Sequence, residues 1–94
     1  LNNIFFQISN GFKNKYFKRE KFDLIVSNML LNSQNFLAKS FFLKLKKNGF
    51  LVLSGILIVQ ENEIIVKFSK YKFRLLNKIY MGDWVSLTFK KKSF

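Results

Sequence analysis

Two uninterrupted apolar runs constrain this chain more than any other feature. Leu24-Ile25-Val26, inside Phe22-Asp23-Leu24-Ile25-Val26-Ser27, and Phe50-Leu51-Val52-Leu53 both lack the alternation of a strand with one wet face. Runs of this kind mark strands buried on both faces, as in a parallel sheet. Parallel neighbours need a crossover of a dozen or more residues, usually a helix. The stretch between the runs supplies one. Asn32 or Ser33 can cap a helix over residues 33–47, with Leu37, Phe41 and Leu45 at i, i+4 and i+8 on its buried face. Lys44, Lys46 and Lys47 fall in its last turn, facing the negative end of the dipole, and Asn48-Gly49 offers a left-handed stop. The result is a strand, helix, strand unit whose crossover is expected to be right-handed.

The flanking segments extend an α/β fold. Residues 4–8 (Ile-Phe-Phe-Gln-Ile) form a short strand closed by Ser9-Asn10-Gly11, and residues 12–21 show no clear period and read as a loop or a poor helix. A second helix is expected over residues 61–70, with Ile64, Ile65 and Phe68 inward, Glu61 and Glu63 at its start, and Lys67 and Lys70 at its end. Residues 73–79 and 84–89 flank Tyr80-Met81-Gly82-Asp83 as an antiparallel hairpin, with Trp84 expected in its core. Ninety-four residues without a repeat or a linker make one domain or part of one.

Composition narrows the function. A hydrophobic content of 49% rules out natural disorder, and the longest apolar run, residues 50–59, falls well short of the ~20 residues of a membrane span. Without Cys or a basic leader, the chain is expected to be cytoplasmic, with no disulfide and no membrane partner. Without Cys or His, and with five acidic residues, no metal site is expected, and a His-based triad is impossible. Gly11, Gly49, Gly55 and Gly82 never form a Gly-x-Gly element, so any nucleotide-like cofactor must be completed outside these residues. The net charge of +12 suits phosphate, but Arg19 and Arg74 are the only arginines among 17 basic residues. Lys does not grip phosphate bidentately, so solvated faces are the first reading of this charge and an RNA-rich or acidic partner the second.

In an open parallel sheet, ligands bind beyond the carboxyl ends of the strands. That rule selects Ser27-Asn28-Met29-Leu30 and Ser54-Gly55-Ile56-Leu57. An Asn at such a position can accept a hydrogen bond from an amine N–H and aim its lone pair, or it can simply cap a turn. Gly55 can admit a ligand close to the backbone or open a turn.

Phe22-Asp23-Leu24-Ile25-Val26-Ser27-Asn28-Met29-Leu30, Leu45-Lys46-Lys47-Asn48-Gly49, Ser54-Gly55-Ile56-Leu57 with Gln60, and Asp83-Trp84-Val85 follow one another in an order that resembles the C-terminal half of the ribosomal protein L-eleven methyltransferases. That family carries Asp-Leu-Val-x-Ala-Asn-Ile-Leu, Leu-Lys-Pro-Gly-Gly, Ser-Gly-Ile-Leu followed by Gln, and Glu-Trp-Val segments. The resemblance implies the C-terminal half of a class I (Rossmann-like) methyltransferase sheet of order 3-2-1-4-5-7-6. It further implies S-adenosylmethionine as cofactor and amino groups of a ribosomal protein as methyl acceptors. By the same resemblance Asn28 is the catalytic and cofactor-side residue, and Ser9 or Asn10 lies near the cofactor adenine. Met29, Leu30, Ser54, Gly55 and Gln60 fall on the acceptor side. Residues 1–94 then form a partial catalytic domain, lacking the glycine-rich cofactor loop and needing an N-terminal half. Alone it is expected to be inactive, to bind cofactor weakly if at all, and to aggregate or stay partly molten, with the strand at residues 22–27 left as an open edge and the one at residues 4–8 as an orphan. A small basic module that binds ribosomal RNA through its lysines, or a decayed pseudoenzyme remnant, is the alternative.

Overall fold

The computed structural model describes residues 4–7, 21–30 and 37–92. Five strands form one sheet: β1 (Ile4–Gln7), β2 (Phe22–Asn28), β3 (Leu45–Leu57), β4 (Phe73–Met81) and β5 (Trp84–Lys91), in the order β1-β2-β3-β5-β4. Between them lie α1 (Leu37–Lys44), a 3-10 turn (Ile58–Gln60) and α2 (Glu61–Lys70). The two apolar runs pair as expected: Leu24 to Ser27 lie parallel to Phe50 to Leu53. The order β2-β3-β5-β4 reproduces the 4-5-7-6 portion of the sheet expected from the resemblance.

One expectation fails at the edge. β1 is no orphan: it pairs in parallel with β2, Ile4 opposite Leu24 and Gln7 opposite Ser27. β2 is therefore an interior strand, its backbone groups bonded on both sides, and the open edges among the described strands are β1 and β4.

The first helix is shorter than its periodicity suggests. α1 stops at Lys44, and Leu45 already pairs with Phe22, so Lys46 and Lys47 belong to β3 rather than to a last helical turn. The stop comes from far along the chain: the Lys91 ammonium donates to the carbonyls of Phe42 at 2.6 Å and Leu45 at 2.8 Å. A cation on these carbonyls satisfies acceptors that a further helical turn would have used. Asn48 does adopt the left-handed conformation, at φ 62°, but inside the β3 span. The caps proposed at Asn32 and Ser33 lie outside the described residues.

α2 spans the expected residues, with Glu61 and Glu63 in its first turn and Lys67 and Lys70 in its last. Both helices pack on one face of the sheet. Ile25, Leu51, Leu53, Ile56, Val85, Leu87 and Phe89 point to that face and are at most 1% exposed. Phe41 of α1 and Phe68 of α2 stack at 6.3 Å, and Phe68 also meets Phe89 at 5.4 Å and Phe73 at 5.7 Å. Ring pairs at these separations add about 0.5–1.5 kcal/mol each beyond the area they bury.

The hairpin is tighter than expected. Met81 opposes Trp84 across a two-residue loop, Gly82-Asp83, with Gly82 at φ 60°. A positive φ at the first loop position gives the twist that joins adjacent strands. Trp84 is not a core residue, contrary to expectation: it is 40% exposed, on the face of β5 opposite Val85, Leu87 and Phe89. The strict alternation of β5 puts it there.

Candidate functional site

The carboxyl ends of β2 and β3 are fastened together at Asn28. The Met29 N–H donates to the Ser54 carbonyl at 2.8 Å, and Ser54 Oγ donates to the Ser27 carbonyl at 3.4 Å. Asn28 lies opposite Ser54 in the parallel register. Its Oδ1 accepts from the Leu30 N–H at 2.9 Å, so the turn-capping role weighed for this residue is real. The same bond fixes the carboxamide in one orientation at the strand mouth.

Gly55 is what makes room for it. Leu53 opposes Leu87 and Ile56 opposes Val85, so Ser54 and Gly55 together face Ser86 in a bulge, with Gly55 at φ 69°. The extra residue bends β3 here, and a glycine takes the left-handed conformation without a Cβ penalty. A Cβ on Gly55 would sit 2.3 Å from Asn28 Oδ1 and 3.0 Å from the Leu30 nitrogen. Of the two roles weighed for Gly55, close approach is the better description, but what approaches is the Asn28 side chain itself.

The other expected residues divide. Leu30 is exposed beside the turn, whereas Met29 turns into the core and is 9% exposed, leaving it no side-chain surface to offer an acceptor. Gln60 is exposed and its Oε1 accepts from the Leu57 N–H at 3.1 Å, closing the 3-10 turn that leads from β3 into α2. Ser9 and Asn10 lie outside the described residues.

One cluster was not anticipated. Glu61, only 8% exposed, accepts from the Tyr80 hydroxyl at 2.6 Å and from the Lys78 ammonium at 2.9 Å. The hydrogen bond from Tyr80, then that from Lys78, holds the Glu61 carboxyl below its ordinary pKa; in return Glu61 raises Lys78 and Tyr80. Glu61 reads in sequence as a dipole partner; that Lys78 and Tyr80, on one face of β4, meet it emerges only in the fold. The cluster pins the start of α2 to the edge strand, and a bond from Ile58 N–H to the Asp83 carbonyl at 2.9 Å pins the preceding turn to the hairpin loop.

A parallel pair running into an antiparallel hairpin, both helices on one face and a polar amide at the strand mouth, defines a class: part of a class I methyltransferase sheet. The methyltransferase NodS of Bradyrhizobium japonicum WM9, solved with S-adenosyl-l-homocysteine, shares this fold with a TM-score of 0.59 at 16% identity, over 78% of this chain and 47% of that one. The ribosomal protein L11 methylase of Lactobacillus delbrueckii subsp. bulgaricus matches more closely, with a TM-score of 0.72 and 30% identity over 79% of this chain and 38% of that one. The family model described as "Ribosomal protein L11 methyltransferase (PrmA)" matches residues 1–92, and the chain belongs to that family. The Ribosomal protein L11 methyltransferase of Campylobacter lari is 38% identical over 73 residues, which are 78% of this chain and 26% of that protein. The chain thus spans about a quarter of the length of the curated relatives it matches.

Proposed function

We propose that this chain is the C-terminal part of the catalytic domain of an S-adenosylmethionine-dependent methyltransferase acting on amino groups of a ribosomal protein, and that it is inactive without the remainder of that domain. The observation that carries the reading is the Asn28 carboxamide, oriented by the Leu30 N–H and admitted by Gly55 at the carboxyl ends of two parallel strands. The residues present fit the methyl end of the donor, and the glycine-rich loop that would hold its nucleotide end is not among them.

When bound, the donor supplies an electrophilic methyl group on a sulfonium. This chain's part is to orient the acceptor. Asn28 Oδ1 takes a hydrogen bond from an N–H of the neutral acceptor amine, which turns the nitrogen lone pair toward the methyl. An amide removes no proton at neutral pH, so the contribution is one of proximity and direction, and the proton of the product ammonium leaves to solvent. Leu30 and Ser54 line the acceptor side, with Gln60 holding the turn beyond them.

A chimera tests this reading. The corresponding C-terminal quarter of the Campylobacter lari relative is replaced by this chain, and methyl transfer to the ribosomal protein is measured with labelled donor. Transfer by the chimera and none by the 94-residue chain alone is the expected result. A folded chimera that binds donor but transfers nothing refutes it.

A second reading, contact with ribosomal RNA through lysines, is favoured by a separate observation. Among the described residues, Lys21, Lys46, Lys47, Lys91 and Lys92 line one recess at the end of the sheet away from Asn28.

A further inference from the structure

The neighbour of β2 is where this sheet parts from a nucleotide-binding one. In a doubly wound sheet the ligand lies at the carboxyl ends of the strands, where the strand order reverses direction. Strands that succeed one another in a single direction leave no such crevice, because their right-handed connections all fall on one face. β1, β2 and β3 do succeed one another in a single direction, all parallel. The described sheet therefore has no reversal beside β2, although Asn28 ends that strand where a donor has to lie. β2 has two edges, and β3 takes one of them. The reversal falls on the other, beside a strand followed by the glycine-rich turn that holds a nucleotide. β1 is followed by Ser9-Asn10-Gly11 and not by a Gly-x-Gly element. It nonetheless fills this edge, from Ile4 opposite Leu24 to Gln7 opposite Ser27, one residue short of Asn28. An edge offers a single row of backbone N–H and C=O groups and pairs with one strand at a time.

β1 is also the strand best able to leave. It is four residues long, against seven in β2 and thirteen in β3, and Ile4 at its start is 44% exposed. A short strand on a sheet edge is held by few backbone bonds. Fourteen residues separate Gln7 from Phe22, a link that spans up to about 45 Å when extended. A move of one or two strand places needs only about 5–10 Å.

We propose that β1 is a plug: in the 94-residue chain it occupies the edge of β2 that the donor-binding strand of the complete domain takes, and it vacates that edge before donor reaches Asn28. The proposal rests on the methyltransferase reading above. The chain has no cysteine, so an engineered pair reports this contact alone. Ile4 and Leu24 are register partners on adjacent strands, at a separation of about 5 Å that a disulfide spans. Ile4→Cys/Leu24→Cys is treated with oxidised glutathione in two proteins, the intact chain and the chimera described above, and the disulfide is read from the mass under non-reducing conditions. It is expected to close in the chain and to close at least about tenfold less in the chimera, where the two Cα atoms lie beyond reach of each other. Val52→Cys/Thr88→Cys joins β3 to β5 and is expected to close in both, which shows that the chimera keeps the rest of this sheet. Should Ile4→Cys/Leu24→Cys disturb the fold, Phe6→Cys/Val26→Cys, further along the same two strands, replaces it with the same expected difference. No disulfide in the chain, or equal closure in chain and chimera, overturns the proposal. The disulfide is read whether or not the chimera transfers methyl, so failure of the plug and failure of the methyltransferase reading are told apart.

Discussion

The two ends of this sheet are built on opposite terms. At the carboxyl ends of β2 and β3, neutral groups are held by hydrogen bonds of 2.8 to 3.4 Å: Asn28 to Leu30, Ser54 to Ser27, and Met29 to Ser54. Glu61 and Asp83 follow β3 and β4 at this same end of the sheet. At the other end, lysines wall an open recess, and Lys91, bonded to the Phe42 and Leu45 carbonyls, serves to end a helix. The first end is built of fixed neutral groups and the second of lysines. A parallel pair enforces the separation, because all its carboxyl ends lie on one side.

The separation can be broken or sharpened by mutation. The largest effect is expected from Phe68→Ala, which removes the ring that joins Phe41, Phe73 and Phe89. A loss of about 3–5 kcal/mol in urea unfolding is expected, and both ends should fail together because they share this core. Gly55→Ala comes next and should divide the ends. The left-handed φ costs about 1–2 kcal/mol, and the new methyl displaces the Asn28 carboxamide. Methyl transfer by the chimera should fall by about a hundredfold, with RNA binding by the chain unchanged. Loss of RNA binding in this variant would show that the ends are coupled.

A smaller effect is expected from pH. Glu61 has a lowered folded-state pKa, so its contribution is present above the unfolded value and is lost as pH falls through the folded one. Lys78 and Tyr80 are raised, so theirs is present below their unfolded values and is lost as pH rises through the raised ones. Stability measured against pH should show a plateau with an acid and an alkaline shoulder, and Glu61→Gln should flatten both. The smallest change is Trp84→Phe, expected to alter stability by about 0.5 kcal/mol or less, since the ring is partly exposed. A large loss would restore the core role that its position in β5 denies it.

Much of this architecture could be read from local pattern. The continuous runs at Leu24 and Phe50 announced the parallel pair, and the charges of residues 61–70 marked α2 to the residue, because burial and the helix dipole both act over a few residues. What could not be read depends on contacts distant in sequence. The end of α1 is set by Lys91, the neighbour of β2 is β1, and Glu61 is held by Tyr80, none of which leaves a periodic trace. Asn28 and Gly55 were each singled out for chemistry of their own. That one needs the other's missing side chain emerges only when β2 and β3 are in register.

The central claim is that Asn28 directs the acceptor amine, and the kinetics of Asn28→Ala in the chimera test it most directly. The predicted result is a fall of about a hundredfold in kcat, with the KM for the methyl donor within a few fold of its original value and the fold intact. An unchanged kcat would reduce Asn28 to the cap of a turn and contradict the account.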